Sequence, residues 1–120
     1  RMDARGYLVS PSFEDDVREA LVATGMASSF IAELGLAPTT PVLDGYSIGR
    51  TAEEFKRDFF LVEDTSGPCT VRYAKDLPAS LEDMTEMPEP VVAADLAMSV
   101  DARERRCGLG YLERLLDGMR

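Results

Sequence analysis

The stretch Phe59-Phe60-Leu61-Val62-Glu63-Asp64-Thr65-Ser66-Gly67-Pro68-Cys69-Thr70-Val71-Arg72-Tyr73-Ala74 holds two apolar runs joined by a segment of turn chemistry. Phe59 to Glu63 and Cys69 to Ala74 are rich in aromatic and β-branched side chains, which suit a pleated, half-buried surface. Asp64 to Pro68 supplies the Asp, Ser, Gly and Pro that favour a reversal. A hairpin over about 59–74 is therefore expected at the centre of the fold.

Outward from this hairpin the periodicity becomes helical. Thr51-Ala52-Glu53-Glu54 has the form of a capping box, in which the threonine accepts the third residue's N–H and Glu54 reaches back, so a short helix is expected through about Arg57. Before it, Val42-Leu43 leads into Asp44-Gly45, a dipeptide that favours tight turns, and Tyr46 to Ile48 is expected to return as a short strand. Ser12 followed by Phe13, Glu14, Asp15 and Asp16 reads as a helix start, running to about Thr24 with Gly25 as the stop. Val17, Ala20, Leu21 and Thr24 would share one face of that helix. A second short helix, about 27–34, would end at Gly35 and present Phe30, Ile31 and Leu34 to the core.

On the carboxyl-terminal side Pro90 suits a first helical position, and Val91 to Met98 is apolar nearly all round apart from Asp95, which implies burial. Asp101 with Glu104 gives a second capping arrangement, and a final helix is expected to about Leu116 or Asp117. Leu109, Leu112, Leu116 and Met119 form one stripe on it. Gly108 and Gly110 are poor helix residues, each costing about 1 kcal/mol relative to Ala, so close packing is expected there. The expected class is α+β: a small antiparallel sheet packed with amino-terminal and carboxyl-terminal helices. One domain is expected over 1–120, with a helical part at 1–36, strands at 41–74, an acidic loop at 76–89 and helices at 90–118.

At 120 residues and 45% hydrophobic, the chain is long and apolar enough to bury a core. No apolar run approaches the roughly 18 residues needed to span a bilayer. The start, Arg1 to Gly6, is charged, unlike a secretion signal. Two cysteines, Cys69 and Cys107, are too few to staple an exported mini-domain, so a reduced, cytoplasmic setting is expected. There is no histidine, which removes the usual general base, the usual zinc ligand and the usual activator of a serine or cysteine nucleophile. Calcium-loop, P-loop and dinucleotide-turn patterns are absent, and no cofactor is expected.

Charge is unevenly placed. The chain carries 22 acids and 13 bases, yet the stretch from Asp76 to Val100 holds no base at all. Asp76, Glu82, Asp83, Glu86 and Glu89 are interleaved with Pro78, Pro88 and Pro90, which reads as an extended surface loop. Such a segment repels phosphate, since nucleic-acid affinity depends on Lys and Arg displacing counterions. A basic protein or a second copy of the chain is the better partner; the plainer reading is a solubilising surface.

Three local patterns have a chemical and a plain reading. Gly45-Tyr46-Ser47-Ile48-Gly49 matches G-x-S-x-G, the sharp turn that presents a nucleophilic serine, but without histidine Ser47 lacks its base and a turn is the simpler reading. Arg18 to Gly35 resembles a helix-turn-helix with Gly25 at the turn, but its second helix holds Ser28, Ser29 and Glu33 and no Lys or Arg, so two packed core helices are favoured. Asp95, on an apolar helix, should not be left bare. Arg103, Arg106 or free N–H groups at the next helix start are its expected partners, with proton transfer as the alternative role. Cys107, beside Arg105 and Arg106, would have a lowered thiol pKa if exposed, while a half-buried cysteine is the plainer reading.

Pro90-Val91-Val92-Ala93-Ala94-Asp95-Leu96-Ala97, followed by Asp101, Arg103 and Gly108 to Leu112 and preceded by Val71-Arg72, resembles the carboxyl-terminal domain of actinobacterial winged-helix regulators, including antitoxins of the type IV toxin-antitoxin class. The resemblance covers about the carboxyl-terminal half of the chain. It implies a non-catalytic domain that contacts a partner or a second subunit, and it carries over no catalytic residue. No basic winged helix precedes it here, which suggests a fragment or a partner-binding module. The expected function is a non-enzymatic regulatory or protein-interaction domain, contacting its partner through Asp76, Glu82, Asp83, Glu86 and Glu89 together with Leu109, Leu112 and Leu116. The alternatives are a helix-turn-helix DNA-binding regulator and a serine hydrolase fragment using Ser47.

Overall fold

In the computed structural model, which describes residues 2–38 and 40–119, five strands form one mixed sheet. They are β1 (Met2–Leu8), β2 (Leu21–Ala23), β3 (Leu43–Ser47), β4 (Val62–Glu63) and β5 (Cys69–Ala74), in the order β2-β3-β5-β1-β4. The helices are α1 (Glu14–Ala20), α2 (Ala52–Asp58), α3 (Glu89–Ala97) and α4 (Ala102–Gly118). The α+β class is the one expected; Arg1, part of the charged start, lies outside the described residues.

The central hairpin is corrected. β1 lies between β4 and β5, antiparallel to both, with Tyr7 opposite Cys69 on one side and Glu63 on the other. The two runs therefore flank a third strand instead of pairing with each other. β3 and β5 pair in parallel, so the sheet is mixed, and α2 lies in the crossover that a parallel pair requires. The first run is mostly not strand. Phe60, at φ 52, closes α2 in a left-handed conformation: the Leu61 N–H donates to Lys56 O (3.0 Å) and the Phe60 N–H to Arg57 O (3.5 Å). That closure consumes Phe59 to Leu61 and leaves Val62–Glu63 as the strand.

Asp44-Gly45 is not a turn either, because β3 runs straight through it. A side chain at Gly45 would meet Val22 O at 2.7 Å and the Leu21 side chain at 2.8 Å. The glycine therefore permits the close approach of β2. Residues 21–23, expected as the end of a helix, form that strand; α1 ends at Ala20 and is opened by a Pro11–Phe13 turn rather than capped by Ser12. The second expected helix is a pair of 3-10 turns, Gly25–Ala27 and Ser29–Leu34, the latter ended by Gly35 at φ 74. The Arg18–Gly35 segment is thus not a helix-turn-helix. The capping box at Thr51 and Glu54 is present, as is the start at Asp101, while α3 opens one residue before the expected start, at Glu89, with Pro90 in its second position. Glu104, however, accepts from Ser99 Oγ (2.9 Å) instead of reaching back to the Asp101 N–H.

Alternate strand residues face opposite ways, and both faces are covered. Tyr7, Leu21, Leu43, Cys69 and Val71 meet Val17 of α1 and Phe55 of α2 on one side. Val22 and Tyr46 meet Phe30, Ile31, Leu81 and Met87, with Val92 and Leu96 of α3, on the other. α4 packs outside α3: Gly108 is buried, and a side chain there would strike the backbone of Ala93 and Ala97. Gly110 does not share this role, since a Cβ there would meet only the flexible end of Arg114 at 3.4 Å.

Candidate functional site

The alternation that builds the second core also sends Asp44 and Tyr46 of β3 and Arg72 of β5 toward α3. There they meet Asp95. Arg72 pairs with Asp44 through two bonds, Nε to Oδ1 at 2.8 Å and Nη2 to Oδ2 at 3.0 Å, and its Nη1 lies 3.5 Å from Asp95 Oδ1. Such a planar, two-pronged contact is the strongest form of a charged hydrogen bond. Thr24 Oγ1 donates to Asp95 Oδ2 (2.6 Å), and the Tyr46 hydroxyl donates to the same carboxylate (3.0 Å). Asp95 is thus structurally paired as expected, but with Arg72, Thr24 and Tyr46 rather than with Arg103 or Arg106. Arg103 donates to Gly35 O (2.9 Å) instead.

This cluster borders a cavity of about 320 Å³ that also touches Met26, Thr70, Met98 and Glu104. Burial raises the Asp44 pKa above its ordinary value against the opposing pull of Arg72, and burial followed by the Asp95 charge raises that of Tyr46. The Tyr46 shift carries its hydroxyl further from neutrality. Among the described residues every buried side-chain nitrogen and oxygen has a hydrogen-bond partner, and no group of three or more acids and cysteines is placed to hold a metal ion. The network's chemistry is cohesion: it ties α3 to the sheet.

Ser47 ends β3 and donates to Arg50 O (3.1 Å), shaping the turn into α2. It borders a cavity of about 590 Å³ with Asp3, Arg50, Tyr73 and Lys75, yet its hydroxyl bonds no titratable side chain among the described residues. Arg50 is itself engaged, pairing with Asp58 (3.1 Å) and lying over the Phe59 ring (5.0 Å). Cys69 is buried, and that burial, with a smaller contribution from Asp44, pushes its thiol up to about 12. Cys107 is half-buried with Sγ 3.6 Å from Leu34 O, a packing position.

The acidic segment is more structured than a surface loop. Ala79–Asp83 is a 3-10 turn with Leu81 buried beneath it, and Thr85 to Met87 runs along the edge of β2, where the Ala23 N–H donates to Thr85 O (2.9 Å) and the Met87 N–H to Ala23 O (2.8 Å). Glu86 turns inward to accept from Ser28 Oγ (2.8 Å), Ser29 N (2.9 Å) and Ser29 Oγ (3.0 Å), and so acts as a tether. Asp76, Glu82, Asp83 and Glu89 are exposed, and Glu19 of α1 shares a cleft with Glu82, an acid that reading the segment alone did not find. Leu109 and Leu116 of α4 are exposed and Leu112 is half-buried. Glu89 touches α4, accepting from the Tyr111 hydroxyl at 3.5 Å, while Glu82 lies near Gly49, so these two acids sit at different places on the fold.

Among the described residues no helix is long and apolar enough to cross a membrane. Comparison with protein-family models, with curated proteins and with solved structures finds no match.

Proposed function

We propose that this chain is a non-enzymatic regulatory domain that binds a basic protein, antitoxin-like in the sense that the resemblance of its carboxyl-terminal half implies. The observation that supports this reading is that Asp76, Glu82, Asp83 and Glu89 are all exposed in a stretch whose middle part, 79–87, is held against the protein by Leu81, Met87 and the Glu86 tether. Exposed acids from a stretch with no base between Asp76 and Val100 steer and orient an opposite surface. The buried polar groups, by contrast, are engaged with one another. Converting these four exposed acids to lysine is expected to remove binding of the basic partner while leaving the melting temperature within a few degrees. Retained binding by a folded variant would count against the reading.

A further inference from the structure

α4 has two apolar faces, and the fold uses one. Cys107, Gly108 and Tyr111 are turned to the protein, against Leu34, Ala93 and Phe30. About a third of a turn round the helix lie Leu109, Leu112, Leu116 and Met119, at the three-four-three spacing of a coiled-coil seam. Leu109 is 46% exposed, Leu116 60% and Met119 77%. Single exposed apolar residues need no explanation, but three in register, with the half-buried Leu112 between them, do.

The charges beside this seam are self-complementary in one arrangement. Arg106 and Glu113, one heptad apart, flank it on the same side, and neither has an ion-pair partner among the described residues. In an antiparallel pair with Leu109 of one copy level with Leu112 of the other, Arg106 of each copy falls about 3 Å along the axis from Glu113 of the other. Sliding by one heptad sets Glu113 against Glu113 or Arg106 against Arg106, and a parallel pair sets Glu113 against Gly108, so each alternative loses the charge match. The matched register also sets Arg105 opposite Leu116. Arg105 already turns its head back to Ser99 O (3.0 Å), which leaves its aliphatic stem to cover the leucine.

We propose that the occupant of this face is a second copy of the chain, docked antiparallel in that register. This is independent of the proposed binding of a basic protein, which rests on other residues. The seam occupies the second half of a single helix, from Leu109 to Met119, the residue that closes α4. One helix face of that length falls at the low end of specific interface sizes, so a reversible dimer with a micromolar Kd follows.

Sedimentation equilibrium on the full chain tests this. The expected result is a monomer–dimer equilibrium weakened at least tenfold by Leu116→Glu and several-fold by Arg106→Glu or Glu113→Arg singly. It is restored in the double variant and in an equimolar mixture of the two single variants, because opposite charges then face each other again. Circular dichroism confirms that each variant is folded. A wild-type chain that is monomeric at about 100 μM, or a dimer indifferent to Leu116→Glu, or a mixture that fails to restore association, would overturn the proposal.

Discussion

Asp95 ties α3 to two strands and to the segment that follows β2, through Tyr46, Arg72 and Thr24. Removing it as Asp95→Ala takes the acceptor from the buried Thr24 hydroxyl, breaks the Tyr46 contact with α3 and takes the Asp95 carboxylate away from Arg72. The expected cost is about 3 kcal/mol or more. Asp95→Asn keeps an acceptor and should cost less; urea unfolding of both variants measures the difference. Glu86 gives the pH dependence a definite sign. Partial burial raises its pKa, but the Ser28 hydroxyl and then the Ser29 donors outweigh it and hold the folded value below the ordinary 4.5. Its contribution is therefore complete above that ordinary value and is lost as pH falls through the lower folded one. Asp44, raised above 3.8, acts oppositely: its ionisation costs stability as pH rises from 3.8 through its folded value. Glu86→Gln should accordingly flatten the loss of stability on acidification, seen as a smaller shift of the urea midpoint between pH 6 and pH 4 than in the wild type; an unchanged slope would contradict the tether. The need for partners at Asp95 followed from one carboxylate on an apolar helix, but their identity did not, because it depends on which strand faces α3.

Helix ends were legible where a side chain at one position meets a backbone group three or four residues away. Thr51 with Glu54, Pro90, Asp101 and Gly35 all mark boundaries because the local chemistry suits a helix end. Strands were harder. Asp44-Gly45 has the composition of a turn and the position of a strand interior, since the glycine answers to β2 beside it and Asp44 to Arg72 across the sheet. β1 passed unnoticed because Asp3-Ala4-Arg5-Gly6 looks like a charged terminus, and only Tyr7, wholly buried, marks it as interior. The two glycines of α4 separate by experiment. The backbone of Ala93 and Ala97 occupies the space a side chain at Gly108 would need, while Gly110 has room. Gly108→Ala should therefore destabilise by about 1–3 kcal/mol, whereas Gly110→Ala should stabilise by about 0.5–1 kcal/mol through helix propensity. Thermal melts of the two variants should move in opposite directions.

Considered together, the elements make a sheet covered on both faces, with α1 and α2 on one side and α3 and the 3-10 turns on the other. The class was readable because helical and strand periodicities occupy separate stretches; the strand order was not, since β1 pairs with a segment far along the chain. Charge was readable as a composition, and the fold decides which acids matter by withdrawing Glu86 and leaving Asp76, Glu82, Asp83 and Glu89 outside. Capture from a native-host lysate, comparing the wild-type chain with the Asp76→Lys, Glu82→Lys, Asp83→Lys, Glu89→Lys variant and quantified by mass spectrometry, tests the role of these exposed acids most directly. A basic protein enriched at least tenfold on the wild-type chain, and released by raised salt, is the predicted result. The same proteins in the same amounts on both chains would contradict it.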